Sequence, residues 1–193
     1  MERIATLPSL YDVLLRWLER TPVNGVSGDK EVMTEFVESH ISSMIEHGET
    51  VISHMVKIGH GNEETIRPRI TAGIDAAREF LLPSGEVSFS RAGLLFIESY
   101  RELPLLSWPR RLIDTVVDLE ESMLLFRSHH ARMVERMIGR RMGTGGSSGV
   151  DYLDMTLKYR IFTDLWVVRT MLVKREAIED PKNPGFYGFA VDN

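Results

Sequence analysis

Between Pro109 and about Arg141 the chain carries a single amphipathic pattern, and its length decides the fold class. Leu112, Val116, Leu119, Met123, Phe126, Val134 and Met137 recur mostly at three- and four-residue steps, and neither proline nor glycine interrupts them before Gly139. That is the period of an α-helix and not of a strand. A helix this long needs other helices to cover its stripe, because a helix in water owes most of its stability to packing. The rest of the chain supplies them. Ser9 caps a first helix with Leu10, Leu14, Trp17 and Leu18 on its apolar face, and Pro22 closes it. A second helix over roughly 31–58 carries Val37, Ile41, Met44, Val51 and Met55. Gly59, Gly61 and Asn62 break it, and a third carries Ile66, Ile70, Ile74 and Leu81. A turn over Pro83–Ser90 leads to a short helix over Arg91–Arg101. After a glycine-rich loop from Gly143 to Gly149, a last long helix is expected through Leu153, Leu157, Ile161, Leu165, Val168 and Leu172. No segment alternates as a strand would. The expectation is an all-α bundle, one domain over 1–178, with 179–193 as a surface or partly disordered tail.

Composition narrows the chemistry. The 193 residues include no cysteine, which excludes disulfides, thiolate metal sites, iron–sulfur clusters and a cysteine nucleophile. Metal ligation must come from six histidines and the carboxylates. A net charge of -5 argues against a protein built mainly for nucleic acid or anionic membranes. No run approaches the length of an apolar membrane span, and Glu2, Arg3, Asp12 and Arg16 interrupt the N-terminal apolar residues, unlike a signal peptide. A cytoplasmic protein, with no nucleic-acid or membrane partner, is expected.

His129 and His130 are adjacent, so at about 100° per residue they face different ways. His130 has Phe126, Val134 and Met137 at i−4, i+4 and i+7 and is expected on the buried stripe, whereas His129 sees Ser122, Leu125, Arg132 and Arg136 on a wet face. A neutral imidazole on an apolar wall suits the axial position of a haem iron; a core histidine bonding a neighbour fits the same spacing. His40, His47 and His54 recur every seven residues, but successive members stand ~10.5 Å apart along a helix, too far to share an ion. They read as a partly exposed helix edge. Arg132 and Arg136 read as a solvated face paired with acids. Arg127, nearer the His130 side, could neutralise an anionic cofactor group.

The run GTGGSSG at 143–149 lacks the lysine of a P-loop and follows a helix rather than a strand. Its glycines permit close backbone approach to a ligand, and Thr144, Ser147 and Ser148 supply hydroxyls. It leads into a helix N-terminus, which favours a carboxylate or another anion. Gly143 as a helix C-cap and Ser148 as an N-cap is the plainer structural reading.

Taken together, Phe126-Arg127-Ser128-His129-His130, then Val134-x-Arg136-x-Ile138-Gly139, then GTGGSSG with Tyr152-Leu153, resembles the C-terminal signature of the tryptophan 2,3-dioxygenase family. Val117-Asp118-Leu119-Glu120, Phe162-x-Asp164-Leu165-Trp166-x-x-Arg169-Thr170 and Leu7-Pro8-Ser9-Leu10-Tyr11 with Arg16-Trp17-Leu18 are similar to further family stretches. The resemblance implies an all-α bundle of the tryptophan/indoleamine dioxygenase type, with long helices around a haem b pocket and commonly a homotetramer. It implies insertion of both atoms of O2 into the indole C2–C3 bond of L-tryptophan, giving N-formylkynurenine. It implies His130 as the axial iron ligand, Arg127 beside the cofactor, and Thr144, Gly145 and Gly146 around the amino-acid head group of the substrate.

Residues 1–30 contain nothing resembling the family's distal motifs, a helix with phenylalanine and histidine and a Tyr/Arg pair for the substrate carboxylate. The distal catalytic residues are therefore not identified. The chain is expected to be a truncated product, half of a split enzyme or a shortened relative. Its cover is expected to be a homo-oligomer or a complementing N-terminal chain. Two other functions remain open from the sequence: a related haem enzyme hydroxylating a different aromatic substrate, and a non-catalytic haem-binding or assembly protein.

Overall fold

A computed structural model describes residues 8–140 and 149–188. Helices α1 (Leu10–Leu18), α2 (Lys30–Lys57), α3 (Glu63–Leu81), α4 (Phe89–Ser99), α5 (Ser107–Ile138), α6 (Val150–Thr156), α7 (Thr163–Val167) and α8 (Pro184–Tyr187) follow in order. Among the described residues the only β-type pairing is an isolated bridge between Val23 and Val26, so the all-α expectation holds. Two compact units emerge. One joins the chain up to Arg110 with the residues from Trp166 onward; the other is Arg111–Leu165.

The first unit is organised around α4. From Ala92 to Tyr100 every residue is buried, as expected of a helix that is apolar nearly all round and packed on several sides. It packs against α1, α2, α3 and the helical turn Val168–Thr170. Gly93 makes the closest of these contacts possible. A Cβ there would overlap the Leu18 carbonyl oxygen and stand 2.9 Å from Thr21 Oγ1. Phe36, Phe96, Tyr100 and Tyr187 form an aromatic core, with Phe96 centroids 5.2 Å from Phe36, 4.8 Å from Tyr100 and 5.3 Å from Tyr187. Helix starts follow side-chain chemistry. Ser9 and Asp12 form a reciprocal capping box on α1, Asp29 accepts from Glu31 and Val32 N–H on α2, and Asn62 caps α3.

His40 departs from the exposed edge expected of it. It is 2% exposed, and its Nε2–H donates to the Met171 carbonyl at 2.9 Å, tying the 167–173 segment to α2. His47 is half-buried and His54 exposed. The segment after Glu179 is partly built in: Tyr187 is fully buried, its hydroxyl donating to the Pro22 carbonyl and accepting the Gly25 N–H at 2.7 Å.

In the second unit the expected last long helix is broken. The chain leaves helix after Thr156 and re-enters it at Thr163. Glu120 on α5 supplies the reason. Its carboxylate oxygen accepts the N–H groups of Ile161 and, at 2.9 Å, of Phe162. In an uninterrupted helix those two donors would bond carbonyls four residues back.

Candidate functional site

Within Arg111–Leu165, α5 buries Ile113, Val116, Val117, Glu120 and Ala131. This face is offset from the stripe read in the sequence, of which only Val116 is buried. Leu112, Met123 and Val134 are half-buried; Leu119, Phe126 and Met137 are exposed. The helix carries more apolar side chains than one face can hide. The hidden face is the one on which Glu120 meets its two donors, which leaves a second apolar strip in the open.

His130 lies on that strip. It is half-exposed, and its imidazole runs nearly parallel to the Phe126 ring one turn earlier, with centroids 6.0 Å apart and planes 6° from parallel. Phe126 is itself 70% exposed and Met137 74%, with Met133 beside them also open to solvent. An imidazole thus stands among exposed apolar groups, while His129, about 100° round the helix, is more exposed. The described residues contain no group of three or more His, Asp or Glu placed to hold a bare metal ion. A lone histidine in an apolar surround suits an ion whose other ligands arrive with it.

Three arginines of the α5 end reach toward α6. Arg127 turns away from solvent and donates from Nη1 to the carbonyls of Tyr159 (3.0 Å) and Thr156 (3.3 Å). Its charge therefore sits at the carbonyl end of α6, where a cation is favoured. Arg132 pairs with Glu135 and Asp154. Arg140 reaches Glu135 at 3.2 Å and Asp151 at 2.8 Å. These pairs tie the end of α5 to α6. Thr144, Gly145 and Gly146, expected around the substrate, lie outside the described residues, as do Ser147 and Ser148. The segment is bracketed by Gly139 and Gly149, both at positive φ (64° and 61°), a conformation glycine adopts without strain.

Two features of the units escaped the sequence reading. Glu120 could have been found, since it falls at i+3 and i+4 from Val117 and Val116, and a carboxylate on a buried face needs a donor. Its partners, forty residues on, could not. Nor could the choice of which apolar face of α5 is hidden. No helix among the described residues is long and apolar enough to cross a membrane.

Comparison with known proteins bears on all of this. The family model for tryptophan 2,3-dioxygenase matches residues 1–172. A tryptophan 2,3-dioxygenase-like protein of Xanthomonas campestris pv. campestris (strain 8004) is 42% identical, covering 98% of this chain and 74% of its own length. A tryptophan 2,3-dioxygenase of Sorangium cellulosum (strain So ce56) is 42% identical over 99% of this chain and 49% of its own length. The tryptophan 2,3-dioxygenase 2 of Ralstonia nicotianae is 41% identical over 94% of this chain and 53% of its own. The chain thus spans about half the length of two of these relatives and about three quarters of the third.

Proposed function

Since the chain belongs to the tryptophan 2,3-dioxygenase family, we propose that it serves a haem-dependent dioxygenase that inserts both atoms of O2 into the indole C2–C3 bond of L-tryptophan, giving N-formylkynurenine. The observation that carries the reading is His130, a half-exposed imidazole stacked on Phe126 within an exposed apolar strip. The donor set fits haem b. His130 would supply the one nitrogen ligand, and Phe126, Met133 and Met137 would offer the apolar wall that a porphyrin needs. Haem, when bound, supplies the O2 chemistry that no side chain has.

In this reading the chain's own residues take distinct roles. His130 would hold the cofactor, and the parallel Phe126 ring, one turn away, would restrict the rotation of its imidazole. Apolar side chains around it exclude water, which limits wasteful oxidation. Arg127 fixes the C-terminal end of α6, and through it the helix that follows the glycine-rich segment. In that segment Thr144 bonds the amino-acid head group of the substrate, and Gly145 and Gly146 let the backbone close over it. The exposed strip is covered in the working assembly by a further copy of the chain or by a complementing chain, because apolar area of this kind marks an interaction surface. The enzyme works in the cytoplasm.

The test is the visible spectrum of the purified protein, ferric and ferrous, with and without L-tryptophan, beside His130→Ala. A Soret band that depends on His130 and shifts with tryptophan is the expected result, followed by tryptophan-dependent O2 uptake. Haem bound equally well by His130→Ala refutes the ligand assignment. A product heavier by one oxygen atom rather than two refutes the dioxygenase reading in favour of hydroxylation.

A further inference from the structure

In the first unit, α2 and α3 line a cavity of about 400 Å³ whose third wall is the 167–173 segment. Its surface is mostly apolar, with Met44 and Val51 from α2, Ile70 and Ile74 from α3, and Met171 and Val173 from the third wall. That volume falls within the range of small-molecule sites.

Of the two helix glycines that line it, packing explains one and leaves the other without a steric cause. Gly48 has a plain steric cause, since a Cβ there would stand 2.8 Å from Ile70 Cγ2. Gly73 has none: a Cβ would meet nothing within 4 Å, and its φ is not in the left-handed region. A glycine inside a helix costs stability without either reason. At Gly73 its effect is to keep the cavity wall bare.

The polar lining has a sign. Arg67, two residues before Arg69, is held in a fork, donating to Glu49 at 2.8 Å and Glu63 at 2.9 Å. Arg69 lines the cavity at its exposed rim and has no ion pair among the described residues. His47 lines it from α2, and no carboxylate is among the lining side chains. An apolar hollow with an unneutralised guanidinium at its edge is complementary to an acid group on an apolar body.

We propose that this cavity binds an amphipathic monocarboxylate, its apolar body against Met44, Ile70 and Met171 and its carboxylate on Arg69. The site is independent of the haem reading, being built wholly from the first unit. Because the Met171 carbonyl also accepts the His40 Nε2–H, occupancy changes the surroundings of a buried hydrogen bond as well as the wall.

Decanoate is the probe, followed by the ¹³C-methyl signals of Met44 and Met171 in the full chain, with Met44→Leu and Met171→Leu for assignment. Decanoate is expected to shift both signals saturably, and decanol to bind about tenfold or more weakly for want of a charge-assisted bond. Arg69→Gln is expected to erase that difference. Gly73→Leu is expected to remove binding while leaving the far-ultraviolet dichroism intact. If Gly73→Leu fails to fold, Gly73→Ala reads the same loss as weakened affinity. Equal binding of decanoate and decanol, unaffected by Arg69→Gln, overturns the proposal, as does the absence of a saturable shift. So does a shift of the two methyl signals with protein concentration alone, which would mean that a second copy fills the cavity.

Discussion

Glu120→Ala tests whether one buried carboxylate terminates α6 and sets the path to α7. In the structure Glu120 is 2% exposed, and one of its oxygens accepts the N–H groups of Ile161 and Phe162, the latter at 2.9 Å. Removing the side chain leaves two backbone donors without their acceptor. Phe162 is buried, and a buried donor stranded in this way costs about 1–3 kcal/mol; Ile161 is 43% exposed, so water takes up its N–H and the total is roughly 1–4 kcal/mol. In a chain of this size each kcal/mol moves the melting temperature by roughly 2–4 °C. Glu120→Gln keeps a carbonyl oxygen in the same place and loses mainly the charge assistance, so it is expected to cost about 1–2 kcal/mol. Urea titration gives the two totals. Amide hydrogen exchange locates them, with Phe162 N–H expected to lose protection in Glu120→Ala and to keep most of it in Glu120→Gln. The reasoning fails if Glu120→Ala lies within about 0.5 kcal/mol of the parent, the range of ordinary surface changes. It fails equally if the Phe162 amide stays protected.

Other consequences can be checked in the same preparations. Gly93→Ala and Gly73→Ala make the same chemical change in two helices with opposite expected signs: overlap with the Leu18 carbonyl oxygen should cost Gly93→Ala about 1–3 kcal/mol, whereas Gly73→Ala meets nothing and should gain about 0.5–1 kcal/mol. Thermal melts of the pair decide it, and two shifts of the same sign would refute the assignment. Burial depresses the His40 pKa below the usual histidine value of 6.5, the bond to Met171 opposing it. The unfolded chain therefore binds the proton first, so stability from this group is present above pH 6.5 and declines as pH falls toward the lower folded value. Urea midpoints for parent and His40→Gln between pH 8 and pH 5 should converge at the acid end. Arg127→Ala removes two bonds to the carbonyl end of α6 and should cost about 1 kcal/mol without haem. If haem affinity also falls, Arg127 acts on the cofactor side too; a stability equal to the parent's refutes the capping role.

Local chemistry was what the sequence made legible. The Ser9 cap, the break at Gly59–Asn62 and the start of α4 near Ser90 depend on neighbours within four or five residues, so they can be read from a string. The long helix was legible for the same reason, although it begins at Ser107 and holds Pro109 in its first turn, where a missing N–H costs nothing. Partners far apart in the chain were not legible. Leu153, Leu157, Ile161 and Leu165 keep a helical period across a break enforced by Glu120, because periodicity does not register a competing acceptor elsewhere. His40 looked like an exposed edge because its seven-residue spacing to His47 and His54 suggested one face. That edge is buried at His40, where the 167–173 segment crosses it, and open at His54. On α5, helical angles set His130 beside Phe126 and His129 on a more exposed side, but they could not say which apolar face would be hidden.

Tyr187 carries a consequence for synthesis on the ribosome. Its hydroxyl joins the Pro22 carbonyl and the Gly25 N–H, so the turn that ends the first helix waits for a residue made more than 160 positions later. The first unit is likewise assembled from two stretches of sequence separated by the whole of the second. Arg111–Leu165, contiguous in sequence, can collapse as soon as it emerges, whereas α4 must wait for its last wall, Val168–Thr170. Closing such a long loop is slow and leaves apolar surface uncovered meanwhile. During translation the helices that precede Arg111 thus stay without their last wall until Val168–Thr170 is made, and chaperone demand should fall on them rather than on Arg111–Leu165.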